Sequence, residues 1–164
     1  MSALTKIKDE FRRCKKSESL AMLSISIGKI DDYNFKATFV GPKKTGYHGG
    51  LFRLLINIPT NYPEGRPEIQ FKNPVFHPNV SSSKDSNLGG YHICIDYINC
   101  WKSEYTIEEA LISVYQLMIR PTPDQGYGND ATKLLKEVNN NPNDEKYKAK
   151  CNEWVRLYAT VNNK

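Results

Sequence analysis

Residues 34–40 read Asn-Phe-Lys-Ala-Thr-Phe-Val, and residues 51–58 read Leu-Phe-Arg-Leu-Leu-Ile-Asn-Ile. In the first run Phe35, Ala37 and Phe39 alternate with Lys36 and Thr38; in the second Phe52, Leu54, Ile56 and Ile58 take every other place. A period of two sends successive side chains to opposite faces, so each run predicts a strand with one buried face. Upstream, Leu23, Ile25 and Ile27 alternate with Ser24 and Ser26; downstream, Ile69 and Phe71 mark a short further strand. The connections carry Gly41-Pro42, Gly49-Gly50 and Tyr62-Pro63, which favour turns. Together they predict a four-stranded antiparallel meander.

On either side of the strands the period becomes helical. Leu4, Ile7 and Phe11 define an amphipathic opening helix ending near Lys16, with a basic exposed side. Near the other end, Thr106-Ile107-Glu108-Glu109 has capping-box form, in which the threonine hydroxyl accepts the Glu109 amide and the Glu109 carboxylate reaches back. Ile107, Leu111, Val114 and Met118 form that helix's buried stripe, and Pro121 stops it. Ala131, Leu134, Leu135 and Val138 predict a second helix, and Tyr147, Cys151, Trp154, Val155 and Tyr158 a third. Strands grouped together with helices at both ends predict an α+β fold over one domain, residues 1–164.

Composition narrows the function classes. The 164 residues are 39% hydrophobic and 25% charged, enough apolar material for a core, and no apolar run approaches the roughly 20 residues of a membrane helix. A soluble protein without a membrane partner, resident in the cytoplasm or the nucleus, is the expectation. Four scattered cysteines (Cys14, Cys94, Cys100, Cys151) predict thiols rather than a disulfide framework. The net charge is +5, and residues 1–20 hold six basic against three acidic side chains, which favours a solvated helix face or an acidic protein partner. No groove-reading motif or basic stripe with stacking aromatics is found at the required spacing, so nucleic acid is not expected as a partner.

Residues 72–105 lack sustained periodicity and carry Pro74, Pro78 and Gly89-Gly90; a loop that long in a compact domain is usually functional. It holds His77, Asn79, His92, Cys94, Asp96 and Cys100, and three chemistries compete. Zinc bound by His77, His92, Cys94 and Cys100 would need a spacing unlike the common structural sites, and no metal or other cofactor is expected. A cysteine protease would need a histidine base oriented toward Cys94. The third option is a thiol whose reaction partner arrives already activated as a thioester.

A resemblance bears on that choice. Tyr62-Pro63, Pro67, Phe71, Phe76-His77-Pro78-Asn79, Ile93-Cys94-Ile95-Asp96 and Trp101 resemble, in order, the core of ubiquitin-conjugating enzymes. Gly41-Pro42, Tyr47, Gly49-Gly50 and Phe52 are similar to its turn between the second and third strands. Pro121-Thr122-Pro123-Asp124 is similar to its segment after the long helix, and Tyr147 with Glu153-Trp154 to Tyr158 to its last helix. The resemblance implies a carrier in which Cys94 receives ubiquitin from an activating enzyme and yields it to a lysine or a ligase. A noncatalytic ubiquitin-binding variant and a carrier of a ubiquitin-like modifier are the alternatives.

The same resemblance implies roles. Asn79 would donate to an oxyanion or hold the loop that shapes the site; His77, Pro78 and Trp101 would be structural. Asp124, Gln125 and Asp96 would line the approach of the amine. Lys6, Lys8, Arg12 and Arg13 would dock the activating enzyme, and Pro63, Glu64, Ser103 and Glu104 would meet a ligase. Protein substrates complete the expected partners. The chain departs from the family pattern at several places, among them His92, which stands where small residues are common. Asn79 and Cys94 stand 15 positions apart, longer than usual, and the polar Ser81–Gly90 segment is expected to form a flexible flap near the thiol. Gln125 takes the place of an acidic or serine residue. Glu64 and Lys102-Ser103-Glu104 replace the usual ligase-contact residues.

Overall fold

The computed structural model describes residues 1–162. Helix α1 (Ala3–Lys16) starts at Ser2, whose hydroxyl accepts the Thr5 amide, and stops at Ser17, whose own hydroxyl accepts the Leu20 amide to cap α2 (Glu18–Met22). The α1 helix buries Ile7 and Cys14, and Phe11 meets Phe35 with ring centroids 5.2 Å apart. The α2 turn was not expected: Leu23 caps it, so the first strand begins later than the serine alternation suggests.

Six strands follow: β1 (Ser26–Lys29), β2 (Asn34–Val40), β3 (Leu51–Asn57), β4 (Glu68–Phe71), β5 (Val80–Lys84) and β6 (Tyr91–Ile93). They form one antiparallel sheet in the order β1-β2-β3-β4-β6-β5. The first four are the expected meander, and the register places Phe35 opposite Ile56, Ala37 opposite Leu54 and Phe39 opposite Phe52 on the buried face. The predicted four-strand sheet is thus two strands short. Strands β5 and β6 escape the reading because Val-Ser-Ser-Ser-Lys has no apolar alternation and β6 has only three residues.

This pairing also corrects the expectation for Ser81–Gly90. The segment belongs to a hairpin stitched to the edge of β4: the Asp85 amide donates to the Gly90 carbonyl (2.6 Å), the Gly90 amide donates to Gln70 Oε1 (3.0 Å), and Asp85 Oδ2 accepts from Leu88 N (2.8 Å) and Gln70 Nε2 (3.1 Å). Gly89, at φ +86°, makes the turn in the left-handed region open to glycine. The hairpin tip leaves the sheet at the Tyr91 end of β6, whereas Cys94 follows the other end.

The rest is helical: α3 (Asp96–Asn99), α4 (Ile107–Ile119), a 3-10 turn (Pro123–Gln125), α5 (Asp130–Glu137) and α6 (Glu145–Tyr158). The last three α-helices match the sequence reading. At the start of α4 the Thr106 hydroxyl accepts the Glu109 amide (3.2 Å), but the return contact differs: the Thr106 amide donates to the Tyr97 hydroxyl (3.4 Å), which donates to the Glu109 carboxylate. A side chain from α3 is thereby inserted into the cap. The α4 stripe packs on the buried sheet face, so one core joins Phe39, Phe52, Phe71, Leu111, Val114 and Met118. Complete burial of a Leu or Phe side chain stabilises by about 1.5–3 kcal/mol. Glu10 of α1 ties the ends together, accepting from the Tyr62 hydroxyl and the Ile107 amide. Burial, the largest influence, raises the Glu10 pKa. Among the described residues no helix is long and apolar enough to cross a membrane.

Candidate functional site

The 76–80 segment runs between β4 and β5 through the core, with His77 and Asn79 fully buried. Polar groups at such depth need partners, and each finds several. The His77 ring donates from Nε2 to the Leu117 carbonyl of α4 (2.8 Å) and accepts the Asn79 amide at Nδ1 (2.9 Å). Burial pushes its pKa down to about 4, which keeps the ring neutral in this network. The Tyr47 hydroxyl donates to the Phe76 carbonyl (2.6 Å), and Asn129 Nδ2 donates to the carbonyls of His77 (3.1 Å) and Val80 (3.0 Å).

Asn79 couples this segment to two others. Its Nδ2 donates to the carbonyl and hydroxyl of Thr122 (2.9 Å each) and to the Cys94 carbonyl (3.2 Å), while Oδ1 accepts the Thr122 amide (2.9 Å). The Asn79 carbonyl accepts the Cys94 amide (2.8 Å). The side chain is therefore a clamp holding the Cys94 backbone against the 122–127 strip. The Tyr127 amide donates to the Pro78 carbonyl (3.0 Å), and a Cβ on Gly126 would lie 2.3 Å from that carbonyl oxygen, so the strip passes there as glycine.

Cys94 sits between β6 and α3, half-buried, with its thiol donating to the Gln125 carbonyl and Asn99 Nδ2 3.6 Å from the sulfur. Asp124 and Gln125 stand exposed on the 3-10 turn, and Asp96 is exposed at the start of α3. Cys100 is exposed as well, whereas Cys14 and Cys151 are buried and their thiols are pushed up to about 12, mainly by desolvation.

Neither nearby histidine is available to Cys94. Both His77 nitrogens are engaged with backbone, and His92 lies between Glu68 Oε1 (2.9 Å from Nδ1) and Asp85 Oδ1 (3.4 Å from Nε2). Asp85 is held down to about 2, chiefly by the Leu88 amide and the Gln70 side chain. Among the described residues no group of three or more His, Cys, Asp or Glu side chains is arranged to hold a metal. The base-activated protease and the His77/His92/Cys94/Cys100 zinc set find no support in this arrangement.

Trp101 packs beside Tyr62, Tyr97 and Tyr105 and donates from Nε1 to the Pro63 carbonyl (2.8 Å). Pro63 is itself buried, whereas Glu64, Ser103 and Glu104 are exposed. The four basic residues of α1 divide between two faces, because residues seven or four apart in a helix share a side. Lys6 and Arg13 border a groove with Pro63, Ser103 and Glu104; Lys8 and Arg12 border another with Lys29 and Asp32.

Sequence reading misses Thr122, Asn129, Asn99 and Gly126. Their contribution is a few hydrogen bonds or one close approach across the fold, which leaves no periodic signal; the Ile93–Asp96 and Trp101 matches bracket Asn99, and the Pro121-Thr122-Pro123-Asp124 match pointed to the neighbourhood of the others.

Comparison with known proteins bears on the family and the fold. The profile described as ubiquitin-conjugating enzyme matches residues 6–155. A crystal structure of a candidate ubiquitin conjugating enzyme from Plasmodium yoelii superimposes with a TM-score of 0.77 at 27% identity, covering 98% of this chain and 97% of that one. With the profile spanning nearly the whole sequence, the chain belongs to the ubiquitin-conjugating enzyme family.

Proposed function

We propose that Cys94 accepts the C-terminal carboxyl group of ubiquitin as a thioester from an activating enzyme, and that the protein then delivers it to a lysine amine or to a ligase. The observation that supports this most directly is a half-exposed thiol whose backbone is clamped by Asn79 against an exposed strip carrying Asp124 and Gln125. In the first step the Cys94 sulfur adds to the donor thioester carbonyl. A new S–C bond replaces the old one, and the Cys94 proton leaves with the departing thiol. One thioester is exchanged for another, so the step needs no strong base.

In the second step the lysine nitrogen adds to the carbonyl, the Cys94 thiolate leaves, and the proton from nitrogen passes to that thiolate or to water. Lysine has an ordinary pKa near 10.4, so its neutral form is scarce at pH 7. Polar groups beside the thiol gain importance there, and Asp124, Gln125 and Asp96 are the residues we assign to the amine's approach. Both Asn79 amide protons are directed at Thr122 and the Cys94 carbonyl, so we assign Asn79 as a positioning residue that holds the 122–127 strip. The Lys6 and Arg13 face with Pro63, Glu64, Ser103 and Glu104 is assigned to the activating enzyme and the ligase. Lys8 and Arg12 add the second basic face.

The test is incubation with activating enzyme, ATP and ubiquitin, followed by a nonreducing gel. A thiol-labile adduct is expected, lost in Cys94→Ala and retained in Cys100→Ala. Absence of an adduct with ubiquitin and with a panel of ubiquitin-like modifiers and their activating enzymes, or an adduct on Cys100, overturns the assignment.

A further inference from the structure

The Cys94 sulfur has two polar neighbours of opposite kind. Its thiol donates to the Gln125 carbonyl (2.6 Å), and Asn99 Nδ2, from the last residue of α3, lies 3.6 Å away. Acylation treats the two contacts differently. Turning S–H into a thioester removes the proton that the Gln125 carbonyl accepts, whereas a side-chain amide can still donate to the sulfur or to an oxygen beside it.

The orientation of that amide is fixed from its far side. Arg66, two residues before β4, places a guanidinium nitrogen 3.4 Å from Asn99 Oδ1. A guanidinium only donates, so the atom facing it is the oxygen, and the NH2 group is the one turned to the sulfur. Among the described residues Arg66 is in no ion pair, so no carboxylate competes for it. The Asn99 backbone is held as well, its amide donating to the Ile95 carbonyl (2.9 Å). Asn79 is placed otherwise: its amide protons serve Thr122 and the Cys94 carbonyl, and turning them to an oxyanion would break the clamp. Among the described residues Asn99 Nδ2 has the sulfur as its one partner.

We infer that Asn99 is a catalytic residue of acyl transfer at Cys94 and that Arg66 is its positioning residue, an inference that rests on the thioester reading of Cys94. When an amine nitrogen adds to the thioester carbonyl, the π pair moves to the carbonyl oxygen, two bonds from the sulfur, and Asn99 Nδ2 donates to that oxyanion. As the C=O bond re-forms, the C–S bond breaks and its electron pair goes to sulfur. The proton lost by nitrogen passes to that sulfur or to water, and the same amide donates to the departing sulfur. A donor that meets charge only as it develops lowers the barrier without tightening the ground state. The Arg66 charge polarises the amide and strengthens its N–H as a donor.

The experiment uses the full chain charged with ubiquitin by activating enzyme and ATP, then separated from them. Decay of the adduct is followed in free lysine and, separately, in hydroxylamine, an amine that is neutral at pH 7. Asn99→Ala is expected to slow discharge about tenfold or more, by the same factor with both amines, because the oxyanion is common to them. Both side chains are exposed, so the final yield of adduct and the denaturant midpoint are expected to match the parent's. Asn99→Asp turns an oxygen to the sulfur and is expected to discharge no faster than the alanine variant. Arg66→Ala is expected to slow discharge part of the way, Arg66→Lys to restore most of it, and Arg66→Ala added to Asn99→Ala to do nothing more. Discharge of Asn99→Ala at the parent's rate, a loss with lysine alone, or full activity of Asn99→Asp overturns the catalytic role. Equal loss in Arg66→Ala and Arg66→Lys, or additive loss in the double variant, overturns the positioning role. A parent that takes no adduct fails the thioester reading itself, so the two failures are distinguishable.

Discussion

Replacing Asn79 by alanine removes four hydrogen bonds at once: three from Nδ2, to the Thr122 carbonyl, the Thr122 hydroxyl and the Cys94 carbonyl, and one to Oδ1 from the Thr122 amide. Each is worth about 0.5–1.5 kcal/mol net. Thr122 is exposed and water can replace part of the loss, so the expected fall in unfolding free energy is about 2–3 kcal/mol. For a domain of this size that lowers the melting temperature by roughly 4–12 °C. With the clamp gone the 122–127 strip loses its register against Cys94, and a displacement of about 1 Å near reacting groups can cost about 10²-fold in rate. Two measurements follow: the denaturant midpoint, and single-turnover discharge of the charged protein to free lysine. Charging from the activating enzyme should be nearly unchanged, because that exchange depends on access to the sulfur rather than on the strip. Asn79→Asp keeps the acceptor for the Thr122 amide but directs an oxygen at two carbonyls, and should discharge no faster than the alanine variant. A stability equal to the parent's to within about 0.5 kcal/mol, beside a hundredfold slower discharge, would refute the clamp and point to direct donation to the oxyanion instead. Lost stability with normal discharge would show that the clamp does not shape the site.

The His77 ring, with its pKa down to about 4 against about 6.5 unfolded, binds fewer protons when folded; its contribution is complete above pH 6.5 and is lost as pH falls toward 4. Between pH 7 and pH 5 the loss is about 2 kcal/mol, read as the difference between the parent and His77→Gln in denaturant titrations because the raised Glu10 carboxyl titrates with the opposite sign. Iodoacetamide at pH 8 should label Cys94 and Cys100 in the folded protein and spare Cys14 and Cys151, whose thiols are buried and pushed up to about 12; peptide mass spectrometry checks this, and early labelling of either buried thiol contradicts the packing. Gly126→Ala places a methyl 2.3 Å from the Pro78 oxygen, so the strip must shift and lysine discharge should slow about tenfold or more with little change in charging. Gln125→Asp adds a negative charge to the strip whose backbone accepts the Cys94 thiol, and should quicken discharge to lysine; an unchanged rate counts against the assigned amine path.

The sequence by itself determined the parts that rest on local chemistry. Alternation of Phe35, Ala37 and Phe39, and of Phe52, Leu54 and Ile56, specifies β2 and β3 and their buried faces, because a slip of one residue would turn every aromatic to solvent. The stripe of Ile107, Leu111, Val114 and Met118 does the same for α4. The order of the motifs around Cys94 was enough to suggest the family. Tertiary structure alone decided what the serine-rich segment does, since β5 exists only because β6 offers it a partner and Gln70 and Asp85 anchor its tip. It also decided that both histidines near Cys94 are committed elsewhere and that Asn79 joins three separate pieces of chain. A hydrogen bond between residues 43 positions apart has no period and no composition; it comes into being only when the core brings its two ends together.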